Sequence, residues 1–251
     1  RSSNWKEGYG YTVATEMYSA GIDRLTHQPL SFSVSETTEG VHIHIIDAEL
    51  MGKGEKEKKD LYIEGVQNNG IINHYEYIIN SEGTIEIRHV LKPEGKMPLW
   101  FPRIGLTLTV SDALDQVKWY GRGPQENYPD RKTGYPMGIY ASTVQAMYEP
   151  YLMPQDYGLR TDVRWLQLTT DKGIGLQFKM NEWFNFNIYP YSTDNLTKAM
   201  YTYQLQKQKG MTLNLDYATT GVGCTARGVF GAYKAMPQEY RRTISIRPMM
   251  K

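Results

Sequence analysis

Apolar and polar residues alternate with period two along most of this chain. In GVHIHIIDAEL (40–50), Val41, Ile43 and Ile45 fall on one side and His42, His44 and Ile46 on the other, the pattern of a half-buried strand. GIINHYEYII (70–79) has the same character. TIEIRHVL (84–91) sets Ile85, Ile87 and His89 against Glu86, Arg88 and Val90. Asn80-Ser81-Glu82-Gly83 is built as a turn, so 70–91 is expected to form a hairpin. Further strands are expected at 104–110, 115–120, 163–170, 173–180, 184–189, 211–216 and 240–247. Helix signals are few. DNLTKAMYTYQL (194–205) is the best, with Ser192 or Asp194 placed to cap it. KGEKEKKD (53–60) and QKQKG (206–210) read as solvated loops. With breakers at short intervals and no repeat or Pro/Ser-rich linker, the pattern predicts one all-β domain over 1–251, an antiparallel sandwich or barrel.

Composition narrows the function classes. The 251 residues carry 28 Lys+Arg against 27 Asp+Glu, so no global field draws the chain to nucleic acid or an anionic membrane, and neither partner is expected. Tyrosine is abundant, 20 residues against 6 Phe, which suits sheets and half-wet surfaces. Cys224 is the single cysteine, which excludes an intrachain disulfide and a cysteine-based metal site. No apolar run reaches the roughly 18–20 residues that span a bilayer. The chain begins with Arg1, as a mature product or a piece of something longer would, and the compartment stays open between cytoplasm and periplasm.

Candidate chemistry is sparse. His42 and His44 point to one face of a strand, but no further His or Cys follows at ligand spacing, so a polar strand face is preferred to a metal site. No G-x-S-x-G elbow is present, and G-V-G-C (221–224) lacks the third glycine of a dinucleotide loop. The stretch WYGRGPQENYPDR (119–131) is denser. Pro124 and Pro129 fix φ, while Gly121 and Gly123 permit bends. Glu126 and Asp130 form a carboxylate pair, yet Arg122 and Arg131 flank it. The expectation is a loop locked by its own ion pairs and by backbone N–H groups, without the raised carboxylate pKa a general acid needs. PYLMPQDYGLRTDVRW (150–165) carries Arg160 and Arg164 around Asp162, and LNLDYATTGVG (213–223) carries Asp216. Three rigid polar loops in one domain point to a site or an interface.

PRIGL (102–106), WYGRGPQENYPDRKTG (119–134), the PYLMPQDYGLRTDVRW stretch, FNFNIYPYS (184–192) and LNLDYATTGVG occur in an order and spacing that resemble the C-terminal domain of the family 2 glycoside hydrolase β-galactosidases of bacteria. The match is strongest over 100–248. The resemblance implies a large two-sheet sandwich, the supersandwich shared with galactose mutarotases. It implies packing against a TIM barrel that bears both catalytic glutamates of a retaining hydrolase. This chain would then hold no catalytic residue, no metal and no cofactor, and any Mg or Na of the parent would sit in the barrel. The expected partners are the parent's remaining domains and a β-galactoside, in a homo-oligomeric parent. Gly123, Glu126, Asn127, Tyr128, Asp130 and Arg131 would form the lip of the sugar pocket, with Gly123 as a hinge and Arg160, Arg164, Asp216 and Arg227 as secondary candidates. Arg227 or Gly228 stands where many relatives carry a pocket tryptophan or cysteine, and Tyr201 where many carry a histidine. A free-standing aldose 1-epimerase and a carbohydrate-binding module are the alternatives.

Overall fold

The alternation along the chain becomes eleven antiparallel strands in a computed structural model, which describes residues 17, 19–52, 69–223 and 228–250. They are β1 Thr26–Thr37, β2 Gly40–Leu50, β3 Gly70–Ile79, β4 Ile85–Glu94, β5 Arg103–Val110, β6 Gln116–Arg122, β7 Met137–Thr143, β8 Arg160–Thr169, β9 Gly175–Tyr189, β10 Met211–Thr219 and β11 Tyr240–Met249. The main sheet runs β1-β2-β3-β4-β11-β9-β8-β6-β7, and β10 joins β9 to β5.

The long strand β9 creates the second layer. Its first half, Gly175–Met180, pairs with β11, and its second half, Asn185–Tyr189, pairs with β10. The expected strands 173–180 and 184–189 are therefore one strand. At the join, Asn181 Oδ1 accepts the N–H of Thr243 at 3.0 Å, so its side chain replaces a ladder bond rather than breaking the strand. β8 changes register alongside, with irregularities between Arg160, Val163 and Trp165. The product is a two-sheet antiparallel sandwich. Its core runs from Ile87 and Leu91 through Phe178, Leu166, Trp119 and Ile244 to Phe184, Phe186, Leu213 and Leu215.

The second half of β9 and the first part of β10 are buried on nearly all of both faces. Phe184, Phe186 and Ile188 alternate with Asn185, Asn187 and Tyr189, and Leu213 and Leu215 alternate with Thr212, Asn214 and Asp216. The apolar set faces the main core. The polar set lies on the other face, beside a second cluster of Tyr157, Tyr189 and Leu196, with Tyr148, Tyr151 and Tyr191 packed around it. Five of the 20 tyrosines gather here.

Two strands escape the patterning argument, β1 and β7. Pro29 interrupts the alternation of β1 and sits at a register shift between Pro29 and Ser31, as proline does on an edge strand. β7 is a short edge strand containing Gly138. The expected 194–205 helix is shorter than its pattern. α1 spans Thr193–Lys198, capped by Ser192, whose Oγ accepts the N–H of Asn195 at 3.0 Å. A 3-10 turn follows at Thr202–Gln204. The β-branched and aromatic side chains beyond Lys198 account for the early stop. The 80–83 turn forms as expected: Asn80 Oδ1 accepts from Glu82 and Thr84, and Gly83 takes φ 75°. No helix among the described residues is long and apolar enough to cross a membrane. The 53–60 segment and Cys224 lie outside the described residues.

Candidate functional site

Trp119 is the pillar beneath the 123–131 loop. Fully buried in the middle of β6, it packs edge-on to Phe186 and against Tyr140, and its Nε1 donates to the carbonyl of Arg122 at 3.0 Å. Gly123 passes between these rings. A Cβ there would lie 2.8 Å from Tyr140 and 3.0 Å from Trp119, so its role is close packing, where a hinge had been expected.

The loop is then tied to its neighbours on both flanks. On one side Glu126 accepts from the hydroxyls of Tyr151 and Tyr128 and from the N–H of Gly158 at 2.7 Å. Asn127 is wholly buried. Its Oδ1 accepts from Thr161 N and Oγ1, its Nδ2 donates to Gln125 O, and its own N–H donates to Leu159 O at 2.8 Å. On the other side Asp130 accepts from the N–H groups of Val222 (3.1 Å) and Gly223 (2.7 Å), and Arg131 Nη2 donates to Gly223 O at 2.6 Å. The G-V-G turn, which superficially resembles a dinucleotide loop, is a backbone nest for the chain's own carboxylate. A Cβ on Gly221 would fall 2.4 Å from Asp130 Cγ, so the nest closes only around glycine.

These contacts correct the expectation of ion pairs within the loop. Arg122 pairs with Asp162 at 2.6 Å, not with Glu126, and Lys132 Nζ reaches the other oxygen of Asp162 at 2.7 Å. Arg122 also donates to the carbonyls of Lys132 and Tyr135, closing the loop at its base. Asp162 takes φ 55°, the left-handed region, at the β8 irregularity. Burial acts against its charge, but hydrogen bonds from Lys132 and Arg122 prevail and hold its pKa below the usual carboxylate range.

Of the secondary candidates, Asp216 and Arg160 join this site and Arg164 does not. A continuous polar chain leads from Asp162 N–H to Asn185 Oδ1, from Asn185 Nδ2 to Thr219 Oγ1, and from Thr219 to Asp216 Oδ2 at 3.1 Å. Asp216 pairs with Arg103 at 3.0 Å, and Arg103 also meets Asp156 at 3.3 Å. Asp156 accepts from Asn187, whose Oδ1 accepts from Asn214 at 2.8 Å. Burial pushes the Asp216 carboxyl up to about 6, against the pull of Arg103. Arg160 is buried beneath the loop with its guanidinium 5.4 Å from the Trp119 ring centre. It donates to Gly158 O, while its Nε has no hydrogen-bond partner among the described residues. Burial lowers its pKa to about 10. Arg164 turns away and stacks on Trp183, 3.5 Å from its centre. Arg227 lies outside the described residues, Gly228 has open space around it, and Tyr201 is exposed and stacked on Tyr203.

Sequence reading passed over Arg103, Lys132, Asp156, Asn185, Asn187 and Asn214. The polar residues at every second position of FNFNIY and LNLD, inside strands too apolar to be exposed, are a signal that marks Asn185, Asn187 and Asn214; Arg103, Lys132 and Asp156 carry no such mark.

A cleft of about 370 Å³ opens on the main sheet, sharing Arg103 with the polar chain and lined also by Glu49, Asn73, Tyr75 and His89 among others. There Asn73 Nδ2 donates to Asp47 at 2.8 Å, which leaves its Oδ1 to accept from His89 Nε2 at 3.1 Å. His89 Nδ1 then accepts from the Tyr217 hydroxyl at 2.7 Å. Burial, assisted by nearby His74, lowers the His89 pKa to about 4, so the ring is neutral with both nitrogens engaged.

The fold and rim together define an all-β sandwich whose loops are cross-tied into a fixed polar edge. A family model described as the β-galactosidase small chain matches residues 5–246, and the chain belongs to that family. The β-galactosidase of Priestia megaterium (strain DSM 319 / IMG 1521) is 38% identical over 147 residues, 59% of this chain and 14% of that protein. That of Vibrio cholerae serotype O1 (strain ATCC 39541 / Classical Ogawa 395 / O395) is 31% identical over 207 residues, 82% of this chain and 18% of that protein. The chain thus spans less than a fifth of the length of these relatives. Among solved structures, a GalM/aldose epimerase homologue from C. elegans aligns with 12% identity and a TM-score of 0.43, covering 88% of this chain and 69% of that one.

Proposed function

We propose that this chain is a single non-catalytic sandwich domain at the C-terminal end of a bacterial β-galactosidase. It packs on a TIM barrel and helps close the galactoside pocket, while two barrel carboxylates carry out hydrolysis with retention. The observation that supports this reading most is the loop itself. Glu126, Asn127 and Asp130 tie it down from both flanks, while Pro124, Gln125 and Arg131 remain exposed at its outer side. Such a lip is ordered before it meets ligand, so binding sugar carries little further cost in loop entropy. Tyr128 and Asp130 act as struts in this account, and Gln125 and Arg131 are the groups presented to the barrel or the sugar.

The test is steady-state kinetics on the full-length parent. Gln125→Ala and Arg131→Ala should each raise KM for a β-galactoside several-fold with little change in kcat, since they remove binding and not chemistry. Unchanged KM in both variants would remove the lip from the pocket.

The cleft holding His89 and Glu49 favours a second reading, a free-standing aldose 1-epimerase, because that reaction needs an acid and a base on one concave face. Two contacts weigh against it. His89 has both nitrogens bonded within the protein, and Glu49 is engaged by His27 at 2.9 Å. Polarimetry of freshly dissolved galactose distinguishes the readings: acceleration over buffer would favour the epimerase.

A further inference from the structure

The face of the main sheet turned away from the cleft carries a cluster that sequence spacing alone does not reveal. His42 and His44 lie two apart on β2, and the β2–β3 register sets Glu76 directly opposite His44. One donor atom from each of the three residues lies within 4.8 Å of the other two. The His42 Nδ1 to Glu76 Oε1 distance is 3.6 Å. Two ligands on a tetrahedral ion, each about 2.0–2.1 Å from it, stand roughly 3.3 Å apart, so the His42–Glu76 pair is already near that spacing and a rotamer adjustment of the exposed His44 would complete the set.

We propose that His42, His44 and Glu76 form a binding site for a divalent transition-metal ion of the zinc class. Two imidazoles and a carboxylate match the donor preference of such ions, and three protein ligands leave a fourth position for water or an incoming group.

The surroundings fit a ligand set. His42 is 13% exposed at its side chain, and its Nε2 is buried with no hydrogen-bond partner among the described residues. With Nδ1 on the metal, the Nε2–H is the group a second carboxylate should hold, and Glu39 Oε2 stands 4.0 Å away. Glu76 is fixed from behind, its Oε2 held by Arg88 Nη1 at 3.1 Å while Glu86 holds Arg88 Nε at 2.8 Å. Glu39, Glu76 and Glu86 thus outnumber the one guanidinium, which suits a dication. The expectation that this chain holds no metal rested on the absence of a third His or Cys at ligand spacing. The third ligand is instead a glutamate on the neighbouring strand.

The test is calorimetric titration of the chelator-stripped, tag-free chain with zinc chloride, repeated with cobalt(II) to read the ligand-field absorption. His44→Ala and Glu76→Gln are the informative variants: His44 is exposed, and the amide of the second variant keeps an oxygen for Arg88. Circular dichroism melts establish that both fold. One equivalent of zinc should bind, weakened about tenfold or more in each variant and unchanged in His27→Ala and Cys224→Ser. A tetrahedral cobalt spectrum should disappear with the same two substitutions. Absence of binding, binding indifferent to His44 and Glu76, or binding that follows Cys224 would overturn the assignment.

Discussion

Gly221→Ala isolates the nest that holds the lip. Gly221 has no positive φ, so alanine brings no backbone strain, and the single new atom would stand 2.4 Å from Asp130 Cγ and 2.5 Å from its Oδ1. Backbone cannot yield cheaply there, but the carboxylate can swing out. It then loses the hydrogen bonds from Val222 and Gly223. Bonds to a charged acceptor contribute about 1.5–3 kcal/mol each, and the half-exposed carboxylate regains water, so the low end applies and the loss is about 3 kcal/mol. Replacing glycine with alanine returns about 0.4–1 kcal/mol through the unfolded chain. The net loss is about 2 kcal/mol, a fall of roughly 4–8 °C in Tm for a chain of this size. Urea unfolding of the chain measures it. The decisive comparison is the same substitution in Asp130→Ala, where the clash is gone and Gly221→Ala should be neutral or mildly stabilising. Equal cost in both backgrounds, or no cost in the wild type, would refute the reasoning.

Other outcomes follow from the same geometry. Asn127→Ala should cost about 3 kcal/mol by urea unfolding, because Thr161 N–H is left buried without its acceptor; a loss below about 1 kcal/mol would deny it a structural role. His89, with its folded pKa lowered to about 4 from 6.5, gives stability that is complete above pH 6.5 and is lost as pH falls toward 4. Between pH 7 and 5 this group alone should remove about 2 kcal/mol. Asp216, raised to about 6, acts in the opposite sense over part of that window, favouring the folded state as pH falls through 6. The readout is therefore the difference between wild type and His89→Gln, and the variant should lose less stability on acidification; parallel curves would contradict the assignment of a neutral, buried imidazole.

Most of the sheet was legible because a half-buried strand must alternate, and β2, β3, β4, β5 and β6 do. β1 was missed because Pro29 breaks the count, and β9 was split because Asn181 looks like a stop until its side chain is seen to bond Thr243. The loop at 119–131 was recognisable from its glycines, prolines and charges, but its partners were not. Asp130 meets Val222 and Gly223, and Arg122 meets Asp162, across 92, 93 and 40 residues of chain, and nothing in local spacing encodes such pairings. Asn185, Asn187 and Asn214 were hidden for a further reason. In isolation an asparagine in a strand reads as its wet side, whereas here that side faces the tyrosine-rich cluster and the polar chain that runs to Asp216.

The proposed pocket-completing role is tested most directly by β-galactoside hydrolysis measured for this chain alone, for the remainder of the proposed parent alone, and for the two mixed. Turnover should appear only in the mixture, and should fall when the added chain carries Gly221→Ala. Hydrolysis by this chain unaided, or full activity of the remainder without it, would contradict the claim that these loops complete a pocket whose chemistry lies elsewhere.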